Sequence, residues 1–398
     1  MATYSFSDAR RLVLDTVREA RRLDRTETVA LADVAGRVLA EPLAADRDYP
    51  PVARSLRDGF AVRSAELPGT LDLIGEVRAG STFAGEIAPG QCVEIMTGAP
   101  VPAGATAIVM VESAKRESPA RIQIDHQPPV GEFINPAGAE ARRGQVVLPT
   151  GLRIGFAQVS LLATYGQARV KVFARPRVAI LATGDEVVPV ETIPAASQVR
   201  NSNAYSVAAQ VARAGGIPTI LPTAPDHLES TRALVAEGLT YDLLLLSGGV
   251  SAGKYDFVEP ALKEFGADFF FDRVLVQPGQ PLVFGRARDT FFFGLPGNPG
   301  STMVSFEVFG RAALELLGGQ TESPLWLPQL RLTTDFRHKP GLTRFIPARV
   351  NEIATEVTPL RWQGSSDVAA LARANAFLVC EAATESWKAG DLIGVLFQ

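Results

Sequence analysis

The sequence predicts a multi-domain protein that combines an α/β domain with smaller β domains. Three observations carry this prediction. The chain has 398 residues, which is more than one ordinary domain holds. Apolar β-type and helical segments alternate between Arg177 and Leu317. Short β-type runs separated by Gly and Pro occupy the regions before and after it.

The first third of the chain predicts helices that flank an inserted β domain. Ser7 is a predicted N-cap for a helix with apolar positions between Ala9 and Val17. A second helix is predicted at Leu31–Leu39. Short strands are expected from Tyr49 to about Pro129, and a strand, turn and helix from Gly144 to Ala163. We expect the last segment to rejoin the N-terminal helices, which makes the first domain discontinuous.

The middle of the chain predicts a doubly wound parallel sheet, and the end predicts another small β domain. The strands of the sheet are expected at 178–182, 243–246 and 290–295, with helices at 203–214, 228–237, 258–265 and 301–317. Strands are also expected at 330–333, 345–350 and 392–397. The predicted domains are 1–45 with 140–172, 46–139, 173–322, and 323–398.

Composition excludes several classes of function. The net charge of −4 gives no overall basic field for nucleic acid or an anionic membrane. Two distant cysteines indicate reduced thiols rather than a disulfide framework, and the N-terminus has no secretory signal pattern. Three scattered histidines do not suggest a zinc cluster. We therefore expect a soluble cytoplasmic protein with no nucleic-acid partner and no membrane association.

A glycine loop, Ser247–Asp256, directly follows the apolar run Leu243–Leu246. A glycine-rich turn at the carboxyl end of a buried strand lets backbone N–H groups face an anion, and phosphate is the expected one. Gly248 and Gly253-Lys254 have the spacing of a P-loop. Tyr255 replaces the Ser or Thr that would hold magnesium, which disfavours a nucleotide triphosphatase.

Two more polar loops follow predicted strands, at Thr183–Glu186 and at Gly294–Pro299. Because parallel strands end at one edge of their sheet, we expect the three loops to converge. An isolated acidic pair most often solvates a surface turn. Beside two phosphate-type loops, however, the carboxylates of Glu186, Asp226 and Asp256 imply Mg²⁺ or another hard cation.

Several motifs resemble the MoeA family, which includes the gephyrin E domain. They occur in the family's order along nearly the whole chain: Arg57–Ala61, Met96–Ala105, Pro136–Gly138, Thr183–Glu186, Asn201–Tyr205, Ser247–Ser251 with Asp256, Gly294–Pro299 and Leu371–Asn375. The resemblance implies a four-domain subunit with a MogA-like α/β domain, a homodimer, and a cleft shared by two subunits. It also implies a molybdopterin molybdenumtransferase that takes adenylylated molybdopterin and molybdate and releases AMP with Mg²⁺.

The same resemblance implies roles for individual residues. Asp58, Glu186, Asp226 and Asp256 would be catalytic, and Asp58 and Thr97 would come from the partner subunit. The metal ligands would be Glu186, Asp226, Asp256 and Glu140. The substrate would be bound by a set of loop residues: Thr97, Thr183, Gly184, Asp185, Ser202, Ser247, Gly248, Gly249, Ser251, Pro296, Gly297, Asn298 and Ser365. A molybdopterin adenylyltransferase would supply the substrate.

The chain also departs from the family pattern. Gln277-Pro-Gly-Gln280-Pro stands where the family usually has Lys-Pro-Gly-Lys-Pro, and Leu342 replaces an arginine. Lost charge-assisted hydrogen bonds weaken oxyanion binding, by a factor on the order of a hundred for two of them. Lys254 and Arg344 are candidates to compensate.

Two arginines and a glutamate depart from the pattern as well. Arg54 and Arg57 stand where Asn and Met are usual, and they either clamp phosphate or are surface charges. Glu140 replaces a common aspartate and reaches about one methylene further.

Three classes of function remain open from the sequence. The first is the molybdenum-inserting enzyme. The second is a divergent paralogue that binds molybdopterin or its adenylate without efficient molybdate insertion. The third is a scaffold protein, which no basic linker or extra partner domain supports.

Overall fold

The structure, a computed structural model, describes residues 3–248 and 257–398. The chain divides into two compact units. The first comprises Met1–Ala40, Gly151–Val159 and Arg169–Gln398, and the second comprises Glu41–Thr150 and Ser160–Ala168. The predicted fold class, an α/β domain with separate β domains, is confirmed. The division into four domains stays a prediction.

The N-terminal helix begins earlier than predicted. Ser5, rather than Ser7, is its N-cap, because the Ser5 hydroxyl accepts a hydrogen bond from the Asp8 N–H at 3.1 Å. Asp8 is therefore the third residue of the helix, where a carboxylate favours the positive end of the helix dipole. The elements up to the β domain are α1 (Phe6–Ala20), β1 (Thr26–Ala30), β2 (Leu43–Ala44) and β3 (Arg54–Ser55).

The prediction of a helix at Leu31–Leu39 is wrong. The segment contains one turn of 3₁₀ helix at Leu31–Asp33, and Gly36 then takes a positive φ of 77°. The N–H of Leu39 donates to the carbonyl of Leu152 at 3.0 Å. Backbone groups that bond to distant strands are not available for helical bonds, so tertiary pairing overrides the local helical pattern here.

The second unit contains a six-stranded sheet in the order β7-β4-β6-β5-β9-β8. The short strands expected between Tyr49 and about Pro129 are confirmed. Phe60 and Cys92 lie in the core on one face of this sheet, and Ile95 and Ile108 lie in the core on the other. The strands are β4 (Gly59–Val62), β5 (Gly69–Val77), β6 (Gln91–Ile95), β7 (Ala107–Met110), β8 (Lys115–Ser118), β9 (Arg121–Ile124) and β10 (Ile134–Asn135).

The predicted strand, turn and helix near Gly144–Ala163 are confirmed as β11 (Val146–Leu148) and α2 (Phe156–Thr164). β11 pairs with β2 inside the second unit. β12 (Arg169–Phe173) pairs antiparallel with β1 inside the first unit. This pairing joins residues that are distant in sequence.

The α/β part of the first unit holds a mixed sheet in the order β16-β13-β17-β21-β20-β18. Its elements are β13 (Arg177–Ala182), β14 (Val187–Val188), β15 (Val199–Arg200), α3 (Ser202–Arg213), β16 (Ile217–Ile220), α4 (Leu228–Gly238), β17 (Leu243–Ser247), α5 (Val258–Glu264), β18 (Asp268–Phe271), β19 (Val276–Gln277), β20 (Val283–Ala287), β21 (Thr290–Leu295), α6 (Pro299–Ser305) and α7 (Arg311–Leu317). A π-helical turn, Phe306–Gly310, joins α6 to α7.

Four strands of this sheet are parallel, and helices cover both of its faces. Alternate residues of β17 enter two different cores: Leu243 and Leu245 pack with α3 and α7, whereas Leu244 and Leu246 pack with α4 and α5. The doubly wound arrangement is therefore confirmed. The prediction of an all-parallel sheet was incomplete, because β20 and β18 add an antiparallel edge.

The C-terminal part of the first unit is a closed β barrel. Its elements are β22 (Gln329–Leu332), β23 (Phe336–Arg337), β24 (Thr343–Val350), β25 (Glu356–Pro359), α8 (Val368–Arg373), β26 (Ala376–Cys380), β27 (Ser386–Trp387) and β28 (Leu392–Phe397). The strand order is β24-β25-β22-β28-β26, and pairing of β26 with β24 closes the ring. Phe345 and Phe377 contribute to the core that also covers the α/β sheet.

No helix within residues 3–248 and 257–398 is both long enough and apolar enough to cross a bilayer.

Burial predicts that Phe→Ala substitutions at Phe293 of β21 and at Phe156 have very different effects on the free energy of unfolding. Phe293 is fully buried, whereas the Phe156 side chain is 92% exposed. We expect Phe293→Ala to lower the free energy of unfolding by about 3–5 kcal/mol. The matched control, Phe156→Ala, is expected to change it by about 0.5 kcal/mol or less. Urea unfolding followed by circular dichroism measures both, and equal effects would contradict the assigned burial.

Candidate functional site

The carboxyl ends of three parallel strands meet at one edge of the α/β sheet. Ala182, Ser247 and Leu295 lie side by side in register. The loops that follow are bonded to the neighbouring strands: the Thr183 N–H donates to the Ser247 carbonyl at 3.1 Å, and the Gly248 N–H donates to the Leu295 carbonyl at 3.3 Å. The predicted convergence of the three loops is confirmed.

A cavity of about 740 Å³ lies at this edge, and we call it the main cavity. It is lined by residues of all three loops and by the start of α3. The sequence-predicted residues that line it are Thr183, Glu186, Ser202, Ser247, Gly248, Pro296, Gly297 and Asn298.

Glycine is required at the end of β17 for two reasons. Gly248 has a φ of 88°, a conformation that L-residues with side chains rarely adopt. A Cβ atom at this position would also lie 2.9 Å from the Thr183 carbonyl oxygen. Substitution would therefore strain the backbone and push apart the two loops that form the wall of the main cavity.

Asn203 holds two of the loops together, and sequence reasoning missed it. Its Nδ2 donates to the Ser247 hydroxyl at 2.9 Å and to the Gly297 carbonyl at 2.8 Å. The available signal was its place in the motif Asn201-Ser202-Asn203, from which only Ser202 was chosen. Asn201 instead caps α3, because its side chain accepts a hydrogen bond from the Ala204 N–H at 3.1 Å.

Two helical segments begin at the main cavity. Ser202 and Asn203 open α3, and Pro299 opens the helical segment 299–317. Unpaired N–H groups and the helix dipole make such ends favourable for anions. In the segment 299–317, however, Pro299 has no N–H and the Gly300 N–H donates to the Ser365 carbonyl. Among the described lining residues, the charged side chains are Glu186 and Arg200. An anion in this cavity would therefore be held chiefly by backbone and hydroxyl donors rather than by net positive charge.

Two polar atoms at the main cavity lack a hydrogen-bond partner. Within the described part of the chain, the Thr183 hydroxyl and the Asn203 Oδ1 are enclosed and unpaired. A buried polar group without a partner costs about 1–3 kcal/mol. Such groups are characteristic of a site that is completed by a bound molecule or by ordered water.

The described acidic residues of the predicted set have different neighbours within their own units. Glu186 lines the main cavity, whereas Asp185 Oδ1 accepts from the Asp226 N–H at 3.1 Å at the neighbouring loop. Glu140 lies in the second unit, where its carboxylate accepts from Asn135 Nδ2 at 3.0 Å. Residues 3–248 and 257–398 contain no cluster of three or more His, Cys, Asp or Glu side chains that would hold a metal ion.

Four sequence-predicted residues, Gly249, Ser251, Lys254 and Asp256, lie outside the described residues. Gly184 is described: its N–H donates to the Ala224 carbonyl at 3.1 Å, and its φ is 119°. The Glu186 carboxylate occupies the space where a Gly184 side chain would begin.

A second cavity of about 280 Å³ adjoins the first, and we call it the side cavity. The two cavities share Pro281 and Ser301. Gln277, Gln280 and Leu342, the departures noted in the sequence, all line the side cavity, and Ser365 lines it with them. Of the described residues that line the side cavity, none carries a charge.

Arg344 lies near the side cavity but is not among its described lining residues. On β24 it pairs in register with Gln277 on one side and with Cys380 on the other. Burial raises the pKa of the Cys380 thiol to about 12, so Arg344 faces a neutral sulfur at pH 7. The Arg344 Nε is enclosed and has no hydrogen-bond partner in the described part of the chain.

In the second unit, Asp58 and Thr97 lie at adjacent strand ends. One carboxylate oxygen of Asp58 accepts from the Thr97 N–H at 2.6 Å and from the Thr97 hydroxyl at 2.9 Å. These two bonds hold the pKa of Asp58 below its ordinary value, so the carboxylate stays ionised. The fold brings this predicted pair together because Gly59 of β4 faces Ile95 of β6.

The added arginines beside Asp58 have partners within the second unit. Arg54 Nη1 donates to the Gly98 carbonyl at 3.4 Å. The Arg57 guanidinium lies 5.7 Å from the centre of the Phe133 ring. Both contacts are weak.

Three family descriptions match successive parts of the chain. Residues 4–166 match the MoeA N-terminal region (domain I and II), residues 179–316 match a probable molybdopterin binding domain, and residues 329–397 match the MoeA C-terminal region (domain IV).

Similar proteins extend over almost the whole chain. A molybdopterin molybdenumtransferase of Bacillus subtilis is 36% identical over 385 residues, which cover 93% of this chain and 89% of that protein. One from Staphylococcus aureus is 32% identical and covers 93% of this chain and 90% of its own. The crystal structure of the molybdopterin biosynthesis protein moeA from Pyrococcus horikoshii OT3 covers 100% of both chains at 25% identity, with a TM-score of 0.80. The chain belongs to the MoeA family.

Proposed function

We propose that this chain is a molybdopterin molybdenumtransferase of molybdenum cofactor biosynthesis. It inserts molybdate into adenylylated molybdopterin and releases AMP in a Mg²⁺-dependent reaction. The observation that carries this proposal is the main cavity, where the start of α3 and the hydroxyls of Thr183, Ser202 and Ser247 present donors to an anion. The curated relatives with that name support the same activity.

In this proposal the main cavity binds the phosphate groups of the pterin substrate. Backbone N–H groups and the helix dipole at the start of α3 stabilise the phosphate charge, and Ser202 and Ser247 add hydroxyls. Asn203 fixes the Ser247 hydroxyl in direction. Because these donors are preorganised, they stabilise charge on the phosphoanhydride without reorganisation during cleavage.

The proposed magnesium fits the described residues only in part. Glu186 is the one proposed ligand that lines the main cavity within residues 3–248 and 257–398, and no three-ligand cluster forms there. When bound, Mg²⁺ would neutralise the diphosphate. We assign no step to it. Asp226 and Glu140, with Asp256 outside the described residues, remain proposed ligands.

Molybdate is proposed to enter the side cavity, which adjoins the main cavity at Pro281 and Ser301. Gln277, Gln280 and Ser365 offer neutral donors there. An uncharged site holds an oxyanion less tightly than lysines would. This neutrality favours a second candidate function, a paralogue that binds molybdopterin or its adenylate and inserts molybdate inefficiently.

The proposed assembly is a cytoplasmic homodimer that receives its substrate from a molybdopterin adenylyltransferase. Asp58 and Thr97 would approach the main cavity of the partner subunit. The ionised state of Asp58 supports a role in binding a cation. The scaffold function has no specific observation in its favour.

AMP release tests the proposed function directly. Purified protein with adenylylated molybdopterin and Mg²⁺ is expected to release AMP at a rate that rises as molybdate is titrated. The matched controls omit either molybdate or Mg²⁺. Tight pterin binding without molybdate-dependent AMP release would instead establish the paralogue that does not insert molybdenum.

Restoring positive charge to the side cavity is expected to improve molybdate use. The double substitution Gln277→Lys, Gln280→Lys should lower the molybdate concentration for half-maximal AMP release about a hundredfold, through two charge-assisted hydrogen bonds. Gln329→Lys adds charge at an exposed position that lines neither cavity. An equal response in Gln329→Lys would show that the effect is general electrostatic attraction.

The hydroxyl of Thr97 is expected to influence the acidity of Asp58. Thr97→Val removes the hydroxyl bond and leaves the stronger backbone bond, so the pKa of Asp58 should rise but stay below its ordinary value. Thr97→Ser retains the hydroxyl and should leave the pKa unchanged. Carbon-13 NMR titration of the Asp58 carboxyl group measures both variants.

Thr97→Val is also expected to change how the stability of the protein depends on pH. A carboxylate whose folded pKa is lowered stabilises the fold above its unfolded pKa, and this stabilisation disappears as the pH falls through the folded pKa. Thr97→Val should therefore lose part of the stabilisation at neutral pH and respond less to acid. Equal acid sensitivity of Thr97→Val and the wild type would contradict this coupling.

A further inference from the structure

One short loop of the C-terminal barrel contributes residues to both the main cavity and the side cavity. This loop, Gly364–Ser366, lies between β25 and α8, and we call it the partition loop. Ser366 lines the main cavity, whereas Gly364 and Ser365 line the side cavity. The partition loop therefore forms part of the wall of each cavity, together with the shared residues Pro281 and Ser301.

The partition loop is bonded to the first turn of α6. The Gly300 N–H donates to the Ser365 carbonyl at 2.7 Å. Gly300 is the second residue of α6, so its N–H has no partner inside that helix. A Cβ atom on Gly300 would lie 3.0 Å from the Ser365 carbonyl oxygen and 3.2 Å from Leu371 Cδ1. The loop and α6 are thus in close contact with little free space.

The Asp367 carboxylate accepts hydrogen bonds from the chain on both sides of the partition loop. Asp367 Oδ1 accepts from the Ala370 N–H at 3.0 Å and caps α8. Asp367 Oδ2 accepts from the Gln363 N–H at 3.1 Å, and the Asp367 N–H donates to the Gly364 carbonyl at 3.0 Å. The residue thereby joins the start of α8 to the residue that precedes the loop.

We propose that Asp367 is a positioning residue of the transfer reaction, which holds the partition loop against α6 and so fixes the separation of the groups bound in the two cavities. This inference rests on the proposed function, in which the pterin phosphate and molybdate occupy neighbouring cavities. Asp367 touches neither substrate. It acts through Ser365 and Ser366, and through the Gly300 contact that keeps α6 in place.

The two oxygens of Asp367 have different functions: one caps α8, and the other binds the residue that precedes the partition loop. An ionised carboxylate accepts from both N–H groups at once. The backbone bonds from Ala370 and Gln363 lower the pKa of Asp367, so both oxygens are acceptors at neutral pH. An asparagine has one acceptor oxygen and an NH₂ donor, so it satisfies one of the two N–H groups and opposes the other.

Amide exchange at Gly300 tests the holding of the loop without any substrate. Hydrogen–deuterium exchange of the segment 298–303 should be faster by about tenfold in Asp367→Ala, because the bond to Ser365 opens more often. Asp367→Asn should also exchange faster, although it remains a competent helix cap. Wild-type exchange rates in both variants would overturn the role of Asp367.

Steady-state kinetics test the link to the reaction. Both variants should lose about ten- to a hundredfold in the turnover number for AMP release, because small misplacements of reacting groups are costly. Affinity for the pterin substrate should change less than about threefold, since the donors of the main cavity remain. A purely structural role would lower thermal stability and leave the turnover number of the folded enzyme unchanged, which would overturn the proposal.

Asp335→Asn is the matched control. Asp335 lies in the same barrel, and its carboxylate accepts from the Ala389 N–H at 3.0 Å and from Lys388 Nζ at 2.8 Å. It lines neither cavity. We expect normal Gly300 exchange and normal turnover in this variant. Failure of the proposed function is recognised separately, because the wild type itself would then show no molybdate-dependent AMP release.

Discussion

The register of the parallel strands is the constraint on which the candidate site depends. Leu243 lies between Val178 and Phe291, and each strand is buried on both faces. A slip of one residue would move every side chain of a strand from one core to the other. The same register places Ala182, Ser247 and Leu295 together, so the three functional loops begin at one edge. The main cavity is therefore a consequence of how the core packs.

This dependence explains which parts of the site could be predicted from the sequence. The strand ends are local features, since the apolar runs stop at polar residues such as Thr183 and Ser247. Position along a parallel strand then fixes position in space. The side cavity could not be found in this way, because Gln277, Leu342 and Ser365 come from separate elements and meet only through packing. Asn203 was missed for the same reason: its two partners lie on different loops.

The incorrect predictions have a common physical cause. At Leu31–Leu39 the local pattern favoured a helix, but the Leu39 N–H bonds to Leu152 and Gly36 turns the chain with a positive φ. At the sheet edge, β18 and β20 join as an antiparallel pair, whose direction an apolar run does not encode. In both places contacts between residues distant in sequence decide the local structure.

The two cavities differ in how they would hold an anion. Donors at the main cavity include backbone N–H groups at the start of α3, so affinity there depends on backbone geometry as well as on side chains. The side cavity relies on the flexible side chains of Gln277 and Gln280. Ordering such side chains costs conformational entropy, and a neutral amide returns less electrostatic energy than a lysine. Selectivity among oxyanions should accordingly be set in the side cavity and is open to change by substitution.

The acidity of Asp58 is set within the second unit alone. Its partner Thr97 follows β6, and pairing of Gly59 with Ile95 brings the two residues together. Since both bonds come from the adjacent strand end, the carboxylate is ionised before it meets any substrate or partner. The Asp58 carboxylate would therefore interact with the cation at the phosphates without first losing a proton. In the proposed dimer, association of the subunits therefore only has to place the ionised Asp58 carboxylate beside the main cavity.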